Sequence, residues 1–174
     1  GGEQEQVLAA LAELGLSAAN YNGAGQIVAA GSKAAITQLV ATPPEKTRVI
    51  ELKVAGAFHT HFMQPAVTKL SEVAATVSAN MPQMKLWSNV DGALVTDGDE
   101  FLASLVSQVS NPVRWDLCME TLRAQGVTGV IELAPGGTLA GLIKRAAPEI
   151  EQLALKSPAD IATAREFAAR HGKA

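Results

Sequence analysis

From residue 62 onward, helical patterns alternate with short apolar segments, and this alternation constrains the fold more than any other feature of the chain. Helices that separate short strands rich in valine, isoleucine and leucine indicate a mainly parallel sheet covered on both faces. The sequence therefore predicts the α/β class. The predicted helices are 62–79, 99–109, 114–125, 138–146 and 158–170, and the predicted strands are 84–88, 128–133 and 152–156.

The first 55 residues follow a different order. An amphipathic helix is followed by strands over 17–21 and 26–30, a helix over 33–41 and a strand over 47–54. This αββαβ order is the ferredoxin-like pattern without its leading strand. The change of pattern at residues 54–58 is the one boundary we propose, so we predict a small ferredoxin-like subdomain over 1–55 and a larger domain over 56–174.

Composition excludes several classes of function. The net charge of −3 leaves no basic surface for nucleic acid. No apolar run is long enough to span a bilayer, and the start of the chain has no signal-peptide pattern. The single cysteine, Cys118, rules out an internal disulfide and fits a reducing compartment, and its helical context predicts a packed core thiol. We therefore predict a cytoplasmic protein that binds neither nucleic acid nor membrane.

Residues Gly56 to Thr60 place a histidine, His59, between a strand-like segment and a helix-like one. Catalytic histidines at such boundaries can reach a cleft, whereas a turn histidine can equally serve as a cap or a packing residue. Both interpretations stay open on this segment alone. The chain has no Gly-x-Ser-x-Gly motif, so a nucleophile served by His59 would lie outside these residues.

Two further motifs favour structural interpretations. His59 and His61 are two residues apart, a spacing at which two histidines can bind one metal ion. No third or fourth ligand stands at a suitable spacing, so we predict no metal site. The Gly136-Gly137 loop lacks the glycine order of a dinucleotide site and the Gly-Lys-Ser/Thr ending of a P-loop. It is interpreted as a tight turn that packs a strand against a helix.

Five segments in register resemble the acyltransferase family typified by malonyl-CoA:acyl carrier protein transacylase, and the resemblance covers essentially the whole chain. The segments are Asn20-Tyr-Asn-Gly-Ala-Gly-Gln-Ile-Val-Ala-Ala-Gly31, Val54-Ala-Gly-Ala-Phe-His-Thr60, Ser88-Asn-Val-Asp-Gly92, Gln108-Val-Ser-Asn-Pro-Val-Arg-Trp115 and Glu132-Leu-Ala-Pro-Gly-Gly-Thr-Leu-Ala-Gly141.

The resemblance implies transfer of a malonyl group from malonyl-CoA to the phosphopantetheine thiol of acyl carrier protein, in fatty-acid or polyketide synthesis, with no further cofactor. A serine would attack the thioester, His59 would act as general base and then general acid, and the backbone carbonyl of Gln108 would orient the imidazole. The resemblance also implies that Phe58 favours malonyl over branched extenders. The remaining implied cleft residues are Asn20, Asn22 and Gln26.

The resemblance further implies that the small subdomain is inserted in an α/β-hydrolase-like domain with a mainly parallel sheet. A full family member carries the serine in a Gly-His-Ser-x-Gly elbow, the oxyanion-hole amides and a carboxylate-binding arginine before the position where this chain starts. We therefore expect the C-terminal part of such an enzyme, inactive by itself and partnered by the missing N-terminal segment. The alternative is a non-catalytic domain that docks carrier protein or another subunit.

Overall fold

The computed structural model describes residues 2–172, which contain seven α-helices and five β-strands. The helices are α1 Gln4–Glu13, α2 Lys33–Ala41, α3 Gln64–Ala74, α4 Gly98–Gln108, α5 Trp115–Ala124, α6 Thr138–Ala146 and α7 Ile161–His171. The strands are β1 Ser17–Tyr21, β2 Ile27–Ala30, β3 Val113–Arg114, β4 Gly129–Glu132 and β5 Glu151–Ala154. The predicted α/β class is confirmed.

The chain divides into two compact units, one ending at Cys118 and the other beginning at Met119. This division lies at a different position from the domain boundary predicted at residues 55 and 56. That boundary stays a prediction, as do the ferredoxin-like and hydrolase-like assignments of the two parts.

The first unit holds a small sheet in the order β2-β1-β3. β1 pairs antiparallel with β2 and parallel with β3. The β1–β2 hairpin closes through residues 22–26, where Gly23, Ala24 and Gly25 all have positive φ, a conformation that glycine adopts at little cost. Helices α1 and α2 cover this region through a cluster of leucines. The buried members of the cluster are Leu11, Leu16 and Leu39.

The second unit is built around a parallel pair. β4 and β5 pair in register from Gly129 with Glu151 to Glu132 with Ala154, and α6 connects them. A parallel connection of this kind needs a crossover, which the helix supplies. The side chains of Ile143 and Ile150 are fully buried in this unit, and Phe167 of α7 is also buried.

Two predicted strands are wrong. Residues 47–54 form neither strand nor helix, because no neighbouring strand among residues 2–172 gives them a ladder of hydrogen bonds. Residues 84–88 contribute only an isolated bridge from Trp87 to Leu94, since the chain turns back on itself at Gly92 and bonds locally. Alternation of side chains predicts a strand only where a partner strand is present.

The predicted helix over 62–79 is shorter than expected. A 3-10 helix over His61–Met63 leads into α3, which ends at Ala74. The Thr76 hydroxyl donates to the Val73 carbonyl at 2.8 Å just beyond that end. Side-chain bonds of this kind compete with the helical ladder.

Candidate active site

Thr60 shapes the loop that carries the candidate catalytic histidine. Its side chain is buried, with 2% exposure. The hydroxyl donates to the Ala57 carbonyl at 2.6 Å and accepts from the Phe62 amide at 3.3 Å, so it caps the 3-10 helix that follows. Thr60 was not among the residues predicted from the sequence, although a threonine directly before a helix start is a recognisable capping signal.

The backbone of His59 adopts a left-handed conformation with φ of 59°. Non-glycine residues rarely occupy this region, and holding one there costs on the order of 1–3 kcal/mol. Its amide donates to the Val109 carbonyl at 3.2 Å, which ties the loop to the end of α4. The strained turn is therefore held by contacts that are distant along the chain.

The imidazole of His59 is half-buried and lies against the same segment. Its Nδ1 is 2.8 Å from the carbonyl oxygen of Gln108. A carbonyl only accepts, so Nδ1 carries the proton, and in the neutral ring Nε2 is left as the acceptor. Nε2 has no hydrogen-bond partner among residues 2–172. The arrangement presents an oriented base that can take a proton from a hydroxyl or thiol.

Gln108 is the last residue of α4 and is buried, with 7% exposure. Its side-chain Nε2 donates to the Pro112 carbonyl at 3.4 Å, across the loop that leads to β3. The structure thus brings His59 and Gln108 together across 49 positions of sequence. This contact matches the geometry that the family resemblance implies, and the catalytic roles of both residues stay predictions.

Three of the four residues predicted to shape a substrate cleft lie on or next to the β1–β2 hairpin, and the fourth lies next to His59. Asn20 is on β1 and pairs with Val113 of β3, a few residues beyond Gln108. Asn22 and Gln26 close the β1–β2 hairpin through the bond from the Asn22 amide to the Gln26 carbonyl at 2.9 Å. Phe58 stands beside His59 and is 47% exposed. The hydrogen bond of the His59 ring goes to Gln108 rather than to any of these side chains.

The Gly136-Gly137 loop already holds an anion, which is the protein's own Glu132 carboxylate. Oε2 accepts from the amides of Gly137 at 2.7 Å and Ala140 at 2.9 Å, and Oε1 accepts from Leu139 at 2.9 Å. These amide bonds, led by that of Ala140, lower the pKa of Glu132. A phosphate would have to displace this carboxylate, so the geometry supports a turn that packs strand against helix.

Cys118 lies in the core, with its Sγ 3.5 Å from the Ser88 carbonyl oxygen. Burial raises the pKa of this thiol, and the carboxylates of Asp116 and Asp91 raise it further. The thiolate is the nucleophilic form, so these effects oppose reactivity at neutral pH. The structure thus supports the interpretation of Cys118 as a packed core thiol.

Metal coordination and membrane insertion are two further classes of function. Across residues 2–172, no group of three or more histidine, cysteine, aspartate or glutamate side chains is arranged to hold a metal ion. None of the helices described there combines the length and the apolar character needed to cross a membrane.

No protein-family model matches the chain. It is 48% identical over 161 residues to the malonyl-CoA-acyl carrier protein transacylase of Mycobacterium tuberculosis, a match that covers 92% of this chain and 53% of that protein. It is 36% identical over 154 residues to the transacylase of the same name from Escherichia coli, covering 87% of this chain and 50% of the relative.

Solved structures agree with the sequence matches. The crystal structure of MCAT from Mycobacterium tuberculosis superposes with a TM-score of 0.87 at 48% identity, covering 92% of this chain and 53% of that one. A malonyl-transacylase solved in complex with its type II PKS acyl-carrier protein gives a TM-score of 0.87 at 32% identity, covering 95% of this chain and 56% of that one.

Over the matched residues, the chain resembles acyl-transferring enzymes in both sequence and fold. More particularly, its homologues are malonyl-CoA-acyl carrier protein transacylases. The chain spans about half the length of the curated relatives it matches.

Proposed function

We propose that this chain supplies the general base of a malonyl-CoA:acyl carrier protein transacylase. One observation carries the proposal, which is the 2.8 Å contact from His59 Nδ1 to the Gln108 carbonyl oxygen in a homologue of these enzymes. That contact leaves Nε2 as an oriented proton acceptor. The serine nucleophile is supplied by the part of the enzyme that the chain does not span.

The proposed reaction has two balanced halves. Nε2 of His59 takes the serine proton as the serine oxygen attacks the malonyl thioester, and it returns that proton to the departing CoA sulfur. The product is a malonyl-serine ester. In the second half, Nε2 takes the proton of the phosphopantetheine thiol on acyl carrier protein. The thiol sulfur then attacks the ester, and the serine oxygen leaves and recovers the proton.

The Gln108 carbonyl takes the orienting place that an aspartate holds in a Ser-His-Asp triad. It fixes the tautomer of His59 because it can accept the Nδ1 proton. It carries no net charge, so it holds the protonated ring less strongly than a carboxylate would. We infer that this favours return of the proton to the leaving group in both halves.

Substrate selection is assigned to the neighbouring side chains. Phe58 beside the base would crowd a methyl-branched extender, and one methyl contact is worth only about 1–3 kcal/mol, so it gives a preference for malonyl. Asn20, Asn22 and Gln26 would also shape the cleft. We further propose the ferredoxin-like subdomain over 1–55 inside a hydrolase-like domain, a cytoplasmic location, and no cofactor besides the two substrates.

The test uses a chimera in which this chain replaces its matching part in the Mycobacterium tuberculosis relative. His59→Ala should lower kcat/KM for malonyl transfer to holo acyl carrier protein by about 10³-fold or more, because loss of one triad member removes most nucleophilic activation. The matched control is His61→Ala, which removes an exposed neighbouring imidazole and should leave the rate near that of the parent. Parental rates in His59→Ala would refute the assignment.

Thr60 gives a second variant pair in the same chimera. Thr60→Val removes the hydroxyl that holds the His59 turn, so kcat should fall with KM nearly unchanged. Thr60→Ser keeps the hydroxyl and should restore most of the rate. Equal rates for the two variants would show that the hydroxyl does not position the base.

The chain by itself is expected to remain unmodified by malonyl-CoA. Intact-mass spectrometry of the 18.0 kDa protein, before and after brief exposure to malonyl-CoA, measures this directly. No adduct is expected, because the proposed nucleophile lies elsewhere in the enzyme. A malonyl adduct would show that a nucleophile exists within these residues and that the proposed location of the serine outside this chain is wrong.

A further inference from the structure

Buried polar side chains are concentrated around the candidate base. Among residues 2–172, the buried side chains that carry oxygen or nitrogen are Thr60, at 2% exposure, and Gln108, at 7%. Thr60 follows His59 in the chain, and the carbonyl of Gln108 holds the His59 ring. Burying a polar group lowers stability unless its hydrogen bonds are made. The Thr60 hydroxyl makes its bonds, so the Gln108 side chain is the one that needs an explanation.

The amide of the Gln108 side chain is only half satisfied. Its Nε2 donates to the Pro112 carbonyl at 3.4 Å, which is long for a hydrogen bond. Its Oε1 is buried and accepts no hydrogen bond within the part of the chain that the structure describes. An apolar side chain of the same size would fill this place without an unpaired acceptor. Packing alone therefore does not explain a glutamine at this position.

The bond from Nε2 spans the loop over residues 108–112, and this loop presents two successive carbonyls to His59. The Gln108 carbonyl lies 2.8 Å from ring Nδ1, and the Val109 carbonyl accepts from the His59 amide at 3.2 Å. The last carbonyls of a helix lack helical partners, so those at the end of α4 are free to accept these bonds. One short loop thus holds both the ring and the main chain of the base.

A second side chain ties the same loop to α4. Asn111 Nδ2 donates to the Ser107 carbonyl at 2.8 Å and to the Ser107 hydroxyl at 3.0 Å. Its amide donates to the Gln108 carbonyl at 3.4 Å. Asn111 and Ser107 are exposed, so water competes for their hydrogen bonds. The contribution of Asn111 to the shape of the loop should therefore be smaller than that of the buried Gln108 side chain.

We propose that the Gln108 side chain is a positioning residue for the His59 base, and that Asn111 assists it. Their hydrogen bonds fix the loop over 108–112, so the Gln108 carbonyl keeps the proton on Nδ1 and leaves Nε2 free to accept. Any residue at position 108 would supply a carbonyl, whereas this role requires the glutamine amide. The proposal rests on the proposed function, in which His59 is the base.

Nitrogen NMR of the chimera with the Mycobacterium tuberculosis relative, labelled at histidine, reads the ring tautomer without reference to activity. The His59 resonances are those that disappear in His59→Ala. In the parent, at a pH where the ring is neutral, they should show a proton on Nδ1 and none on Nε2. Gln108→Met keeps the backbone carbonyl and nearly the same side-chain length, and it should shift both resonances toward an exchanging mixture of tautomers. Identical spectra for Gln108→Met and the parent would overturn the proposal.

Steady-state kinetics of the same variants separates positioning from binding. Gln108→Met should lower kcat for malonyl transfer by about 10- to 100-fold with KM nearly unchanged, because a displaced base weakens the transition state and not substrate binding. Asn111→Ala should lower kcat in the same way by a smaller factor. The matched control is Gln125→Met, which makes the same exchange at an exposed position after α5 and should leave kcat unchanged. Parental kcat in Gln108→Met, or a change in KM alone, would contradict the assignment.

The two readouts distinguish a failure of this proposal from a failure of the proposed function. Parental rates in His59→Ala would refute the base, whereas the ring spectrum of Gln108→Met would still report on the loop. An inactive His59→Ala beside a Gln108→Met variant with parental rate and spectrum would leave the base intact and reduce the glutamine to packing. If Gln108→Met does not fold, Asn111→Ala takes both measurements at an exposed site, and parental values there would overturn the proposal.

Discussion

Glu132 is expected to stabilise the second unit by satisfying amides at the start of α6. Its two oxygens accept three backbone hydrogen bonds of 2.7–2.9 Å, from Gly137, Leu139 and Ala140. The first amides of a helix have no partner within the helix, so an acceptor placed there compensates for them. A negative charge at this end also interacts favourably with the helix dipole.

The expected loss of unfolding free energy depends on which hydrogen bonds of Glu132 each substitution removes. Glu132→Ala removes all three bonds, and loss of a capping acceptor costs about 0.5–2 kcal/mol. The full value of three charge-assisted bonds does not apply, because water reaches this partly exposed turn. Glu132→Gln can keep the two bonds of Oε2 but loses the one from Leu139 and the charge, so we expect a smaller loss of about 0.5–1 kcal/mol.

The stability that the Glu132 carboxylate contributes should decrease as the pH falls. The amide bonds hold the folded-state pKa of Glu132 below its ordinary value. A lowered folded pKa contributes stability above the unfolded pKa, and this contribution is lost as pH falls through the folded pKa. The difference in unfolding free energy between wild type and Glu132→Gln should therefore be complete at pH 7 and shrink in acid.

Urea unfolding followed by circular dichroism measures these differences at neutral and acidic pH. The control is Glu120→Gln, which changes an exposed carboxylate on α5 and should leave the midpoint nearly unchanged. A Glu132→Gln midpoint equal to that of wild type at pH 7 would refute the reasoning. So would a deficit that stays constant between neutral and acidic pH.

Two further predictions concern buried side chains. Ile143→Ala should lower the unfolding free energy by about 2–5 kcal/mol and Ile143→Val by only about 0.5–1.5 kcal/mol, because this side chain is fully buried. Equal urea midpoints for the two variants would contradict tight packing at this site. The thiol of Cys118 should react much more slowly with a thiol reagent in the native protein than in urea, since burial raises its pKa and blocks access; rapid labelling of the native protein would contradict this.

Local patterns in the sequence predicted most of the helices and strands. The expected helix over 33–41 begins after Ser32, whose hydroxyl accepts from the Ala35 amide, and its bounds match α2. The helix over 138–146 and the strand before it are also confirmed. Such elements depend on capping and periodicity, which neighbouring residues encode.

The sequence predicted residues of the candidate site but not all the contacts that they make. Its place between two predicted elements singled out His59, family resemblance supplied Gln108, and the structure places the two in hydrogen-bond contact. Spacing alone could not have paired residues 49 positions apart. The backbone groups that Thr60 and Glu132 bond became evident only in three dimensions, because they belong to turns whose shape the sequence pattern does not specify.

The sequence by itself determined most of the helices and the resemblance to acyltransferases, since these rest on local chemistry and on motif order. Tertiary structure decided which alternating segments became strands. Residues 17–21 found partners in β2 and β3, whereas residues 47–54 found none among residues 2–172 and stayed irregular. A strand requires hydrogen bonds from a neighbour that can be far away in the chain, so its own pattern is necessary but not sufficient.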